Sequence, residues 1–182
     1  MPARELAPLT YRARQYPLVL ASLLALTMIS ASLPVPADLL RSAREAYLRY
    51  RDELKALTAN ATTRDMAVYR MFSSGASSTL ASAVPLLGPV FAALSAAQLG
   101  LGVKVVAFAE SRELSAVMLS LLLDPSAWLL LLAHSVALVE GAYATWALLR
   151  RGRPHLELYA SMLVLALALT LVSATLAVAW AP

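Results

Sequence analysis

The sequence predicts an all-α protein, a polytopic integral membrane bundle of about five transmembrane helices with an amphipathic helix outside the bilayer. Three observations predict it. Of the 182 residues, 60% are hydrophobic and only 14% charged, and the mean hydropathy is +0.68. A soluble domain of this length has too little interior to hide so much apolar surface. The apolar residues gather into runs of about the length that crosses a hydrocarbon core. Finally, prolines and basic turns punctuate those runs, and the formal charge of +4 is concentrated outside them. One membrane domain over residues 1–182 is the economical reading.

The first run is residues 16–35. Arg4, Arg12 and Arg14 precede it and small residues close it, as in a secretory signal, but about 20 apolar residues make a retained first span. Pro34 and Pro36 then stop the helix, and residues 36–65 form an amphipathic helical loop with Asp38 as its expected N-cap. Along it Leu40, Ala43, Tyr47, Tyr50, Leu54 and Leu57 alternate by threes and fours, which makes one stripe. Arg41, Glu45, Arg49 and Glu53 occupy the other faces, spaced for i, i+4 pairing. Leu40, Tyr47, Tyr50 and Leu54 are therefore the candidate partner-binding residues.

Residues 66–182 read as a four-span bundle. The second span carries Ser73, Ser74, Ser77, Ser78, Thr79 and Ser82, and polar groups in hydrocarbon need partners within the protein. A bend or tight turn is expected at Pro85, Gly88 and Pro89. The third span sets Ala96 and Gly100 four apart, the spacing that lets helix backbones approach closely. It also holds Gln98, expected to face another helix, and Lys104, able to extend to the interface. Residues 114–123 are too short to cross and form an interfacial or re-entrant helix ended by Asp124-Pro125. The fourth span, 127–149, is closed by the basic turn Arg150 to His155, and the last is 156–181.

The sharpest stretch is LLAHSVALVEGAYATW, which sets His134 and Glu140 in an apolar span. An ionisable residue there is by default functional or paired. Hydrogen bonding of Glu140 to His134, Gln98, Tyr143 or the second-span hydroxyls would hold helices together. A hydrated cavity would instead make Glu140, His134, Gln98 and Lys104 an intramembrane polar site. His134 and Glu140 are about 120 degrees apart around a helix, so they do not form an i, i+4 metal pair. No catalytic residue and no cofactor is assigned. The chain has no cysteine, which excludes thiol chemistry. Gly75-Ala76-Ser77-Ser78 lacks the second glycine expected around a rhomboid-type serine, and GLG at Gly100 to Gly102 lacks the rest of a phosphate loop.

Arginines beside apolar runs suit anionic lipid headgroups and not nucleic acid. Membrane lipids, unidentified protein partners and a second copy of the chain, through small-residue helix faces, are the expected partners. Arg12 and Arg14, with Arg150, Arg151 and Arg153, favour a cytoplasmic N-terminus and an external C-terminus in the cell membrane. Seven basic residues between 36 and 70 vote against this, and Asn60-Ala61-Thr62, a glycosylation sequon, fits an external loop.

From Phe72 onward the chain resembles the stage II sporulation protein M family in its broad prokaryotic form. The likeness lies in Phe72-Ser73-Ser74-Gly75, the PLLGP turn, QLGLG, Asp124-Pro125 and AHSVALVEGAY, over roughly 110 residues. It departs at Ser74 or Gly75, where the family often has asparagine, and at Ser135, where a glycine often follows the histidine. The resemblance implies a non-enzymatic multi-span scaffold or accessory subunit, with 36–57 as its docking surface. A small transporter or permease component is the alternative reading.

Overall fold

A computed structural model describes residues 3–59, 61–149 and 155–180. They form seven helices: α1 (Ala3–Ser32), α2 (Ala37–Thr58), α3 (Ala61–Ala83), α4 (Gly88–Ala109), α5 (Leu114–Leu123), α6 (Pro125–Leu149) and α7 (Leu156–Ala179). No strand occurs among the described residues, and the chain is an all-α helical membrane bundle. The sequon residue Asn60, the turn residues Arg150, Arg151 and Arg153, and residue 181 at the end of the last expected span lie outside the described residues.

Four helices, not five, are long and apolar enough to cross a membrane: Tyr11–Ser32 within α1, then α4, α6 and α7. The difference is α3. Arg64, Asp65 and Arg70 occupy its first three turns, and the uncharged remainder is only about 20 Å long at 1.5 Å per residue. It still runs the length of the bundle, packed on α6 and α7. Thr79 and Thr170 share a hydrogen bond of 3.2 Å in that seam. These hydroxyls find partners inside the protein, as the hydrocarbon solvent demands.

The helix contacts fix the directions. Gly100 of α4 sits on Thr27 of α1, and Lys104 donates to the Leu33 carbonyl just past the end of α1, so α1 and α4 run parallel. Glu140 meets Arg12, while Leu131 and Leu23 pack in one cluster, so α6 runs antiparallel to α1. Tyr159 reaches Ala83, and the Ser173 hydroxyl donates to the Ser126 carbonyl at 2.8 Å, which places α7 antiparallel to both α3 and α6. The beginning of α1 and the end of α7 thus lie at opposite ends of the bundle.

Helix α6 is the central post. Ala133, Val136 and Ala137 are buried against Ala83 and Ala166, and small side chains let three neighbours approach. An added Cβ at Gly141 would lie 2.6 Å from the Ala83 carbonyl oxygen. Away from this seam, Leu18, Leu94, Leu101, Val164, Leu171 and Val172 are exposed, the surface expected where hydrocarbon is the solvent.

Several local expectations change. Helix α1 begins well before residue 16 and ends at Ser32, three residues short of 35. Helix α2 is capped by Pro36 without a side-chain bond, and Asp38 lies in its first turn, where it complements the helix dipole. The i, i+4 charge pairs of α2 do not close. Glu53 instead accepts from Arg70 of α3 at 3.2 Å, and Arg41 approaches Asp38 at 4.0 Å. Helix α5 matches residues 114–123, and its Val117 packs with Ala31, Val103 and Ala107 at the α2 end of the bundle. Asp124 then starts α6: its Oδ1 accepts from the Ser126 backbone N–H at 2.8 Å, with Pro125 as the first helical residue.

The bend between α3 and α4 falls where expected, but its strained residue is Leu86. Its φ of 69° is left-handed, and its N–H donates to Thr145 Oγ1 at 2.8 Å. Gly88 has an ordinary φ and serves close approach, because a Cβ there would strike the Ser82 carbonyl. Thr145→Val removes the acceptor that holds this turn to α6. A loss of about 1 kcal/mol in detergent unfolding is expected, and an unchanged midpoint would show that the turn is held otherwise.

Candidate functional site

Glu140 sits fifteen residues into α6 and is 1% exposed. Its Oε2 accepts from Arg12 Nη1 at 2.6 Å, and its Oε1 accepts from the Tyr16 hydroxyl at 3.0 Å. Arg12 and Tyr16 are one helical turn apart, so both point from α1 toward the same carboxylate. The Arg12 guanidinium also stacks 4.3 Å from the centre of the Tyr143 ring. Tyr11 meets that ring edge-on at 6.5 Å. Glu140 therefore bonds none of the partners expected for it: His134, Gln98 and the α3 hydroxyls lie elsewhere, and Tyr143 instead faces Arg12.

This cluster borders a cavity of about 110 Å³, lined also by Trp146, His155 and Tyr159. Arg12 Nε and the Tyr143 hydroxyl are buried without a hydrogen-bond partner among the described residues. The space is roomy enough for water to satisfy them.

His134 belongs to a different place. Its Nδ1–H donates to the Leu130 carbonyl at 2.9 Å, which leaves Nε2 to accept from the Ser78 hydroxyl at 3.1 Å. Ser78 has a second acceptor in the Gly75 carbonyl at 3.0 Å, so its one proton serves one of the two. His134 and Gln98 line a common cleft of about 550 Å³ between α3 and α4. Gln98, expected to face another helix, is exposed to that cleft. Lys104 lies apart at the end of α1, where its charge complements the helix C-terminus. The four residues expected to form one polar site thus divide among three.

The stripe of α2 turns inward. Tyr47 donates to Glu110 Oε1 at 2.9 Å, and burial with that carboxylate beside it pushes the phenol pKa up. Tyr50 lies over the cleft, and Leu40 and Leu54 are half-buried. The face that α2 leaves open carries Arg41, Glu45, Arg49 and Asp52.

No family model, no curated protein and no solved structure matches this chain.

Sequence reasoning missed Arg12 because the first span was started at residue 16, which left Arg12 outside it and Tyr16 at its very edge. The available signal was their four-residue spacing just upstream of an apolar run, in a chain holding an unpaired intramembrane acid. Among the described residues no cluster of His, Asp or Glu has the form of a metal site. The arrangement around Glu140 is a buried ion pair with a hydrogen-bonded phenol, which links α1 to α6 beside a small cavity.

Proposed function

We propose that this chain is a non-enzymatic scaffold or accessory subunit of the cell membrane, organising a membrane-associated complex. The observation that carries the reading is the use made of Glu140, whose two oxygens are both occupied by α1. A transport carboxylate must exchange its ligands, whereas this one anchors the first helix to the central post. The resemblance to the stage II sporulation protein M family belongs to the same proposal. So does the orientation with a cytoplasmic N-terminus, for which an odd number of helices traversing the bundle is the matching geometry.

Partners in the proposal are membrane lipids and a protein that meets the charged face of α2, since Tyr47 is engaged by Glu110 of the chain's own bundle. The test is purification of the tagged protein from native membranes in mild detergent, with quantitative mass spectrometry. A stoichiometric partner is expected, and reversing charge at Arg41 and Arg49 should release it while the bundle's unfolding midpoint holds. Recovery of the chain alone from intact membranes overturns the scaffold reading.

A further inference from the structure

Two buried donors beside Glu140 have no partner among the described residues. Arg12, only 7% exposed, gives its Nη1 to Glu140 and lays its guanidinium over the Tyr143 ring, but its Nε–H bonds nothing there. The Tyr143 hydroxyl is in the same position. Both residues line the cavity of about 110 Å³. Nε–H and Nη1 point from opposite edges of the planar guanidinium, so a group bonded at Nε need not displace Glu140. Glu140 has both oxygens occupied, by Arg12 and Tyr16. What the cavity lacks is an acceptor.

The helix ends place this cavity at the edge of the hydrocarbon. The apolar span of α1 begins at Tyr11, one residue before Arg12. Helix α3 ends at Ala83, whose carbonyl accepts from Tyr159 in the first turn of α7, and Tyr159 lines the same cavity. Tyr11, 60% exposed, and Trp146, 55% exposed, flank an open groove of about 300 Å³ between α1 and α6, which meets the cavity at Tyr143 and Trp146. Amphipathic rings gather at the level of lipid headgroups. Water can satisfy the two donors, but at that level lipid phosphates compete for them through charge-assisted hydrogen bonds.

We propose that the cavity takes the phosphate of one anionic phospholipid, held by Arg12 Nε and the Tyr143 hydroxyl, with the glycerol of that lipid in the groove between Tyr11 and Trp146. The volumes match that division. A space of about 110 Å³ admits a phosphate and no diglyceride, so the acyl chains stay in the bilayer beside α1 and α6. A choline or ethanolamine cation would find no free counter-charge, since Glu140 is the one carboxylate lining the cavity among the described residues and Arg12 neutralises it. The inference names the class of the lipid partner in the proposed function. It rests on that reading only for the membrane, and stands whether or not a protein partner is recovered.

The experiment uses the full chain, delipidated in dodecyl maltoside and titrated with phosphatidylglycerol, with bound lipid counted by native mass spectrometry and the unfolding midpoint followed in parallel. One tightly retained phosphatidylglycerol is expected, and the midpoint should rise with its concentration. Phosphatidylcholine, diacylglycerol and inorganic phosphate should do neither. Tyr143→Phe keeps the ring under Arg12 and removes a hydroxyl that the chain leaves unpaired. Its affinity for phosphatidylglycerol should fall about tenfold, the loss expected for one hydrogen bond to a charged group, while its lipid-free midpoint equals or exceeds that of the wild type. Ala147→Leu, which fills the cavity, should abolish retention. Retention of no lipid would mean that the cavity holds water only, and phosphatidylcholine or inorganic phosphate as effective as phosphatidylglycerol would mean that no anionic lipid is selected. Either result overturns the proposal, as would affinity undiminished in both variants or a lower lipid-free midpoint in Tyr143→Phe.

Discussion

Glu140→Gln lowers the stability of the bundle by about 3–5 kcal/mol, the largest single effect expected in this chain. The substitution keeps the shape of the side chain and removes its charge, which strands the Arg12 guanidinium where its side chain is 8% exposed. A guanidinium cannot escape by losing a proton. The stacking of Arg12 on Tyr143 offsets only a small part of that cost, since a cation–π contact is worth about 0.5–2 kcal/mol. Arg12→Met should cost less, because the carboxyl it leaves behind can be neutralised by a proton and keeps its bond to Tyr16. Denaturant or SDS unfolding in mixed micelles measures both. Equal and small losses, under about 1 kcal/mol, would mean that the pair is solvated and dispensable.

Gly100→Ala is the second large effect, a loss of about 1–3 kcal/mol from overpacking. The added methyl would meet the Thr27 carbonyl oxygen and lie 2.9 Å from the Ala31 backbone nitrogen. Both obstacles are backbone of α1, so no flexible side chain can move aside, and α1 must lift from α4. Gly102, two residues on, is the built-in control: a Cβ there meets nothing within 4 Å. Gly102→Ala should therefore raise stability by about 0.5–1 kcal/mol through helix propensity alone. Unfolding midpoints of the two variants, measured side by side, should move in opposite directions. Movement in the same direction would mean that α1 and α4 are not in contact at Gly100.

Ala96 and Gly100 show why some of this was legible in the sequence. Small residues four apart have one common use in a span, and α1 takes it here. The stripe of α2 was legible for a similar reason, since alternation by threes and fours marks a face whatever that face meets. What it meets was not legible: Tyr47 finds Glu110, sixty-three residues away. The bounds of α5 follow from a charge, Glu113, and a capping pair, Asp124-Pro125, at its ends. Helix α3 misled because serines and threonines interrupt charge-free sequence without announcing how little of it is apolar. The partner of Glu140 was hidden most deeply, since it lies 128 residues back along the chain and in a turn that hydropathy assigns to the solvent side.

The central claim is that Glu140 fastens α1 to α6, and a double-mutant cycle over Arg12→Met and Glu140→Gln tests it most directly. If the two groups form the buried pair, the double variant should be less destabilised than the sum of the single variants by about 2 kcal/mol or more. Single-variant losses that add to within about 0.5 kcal/mol would contradict the account.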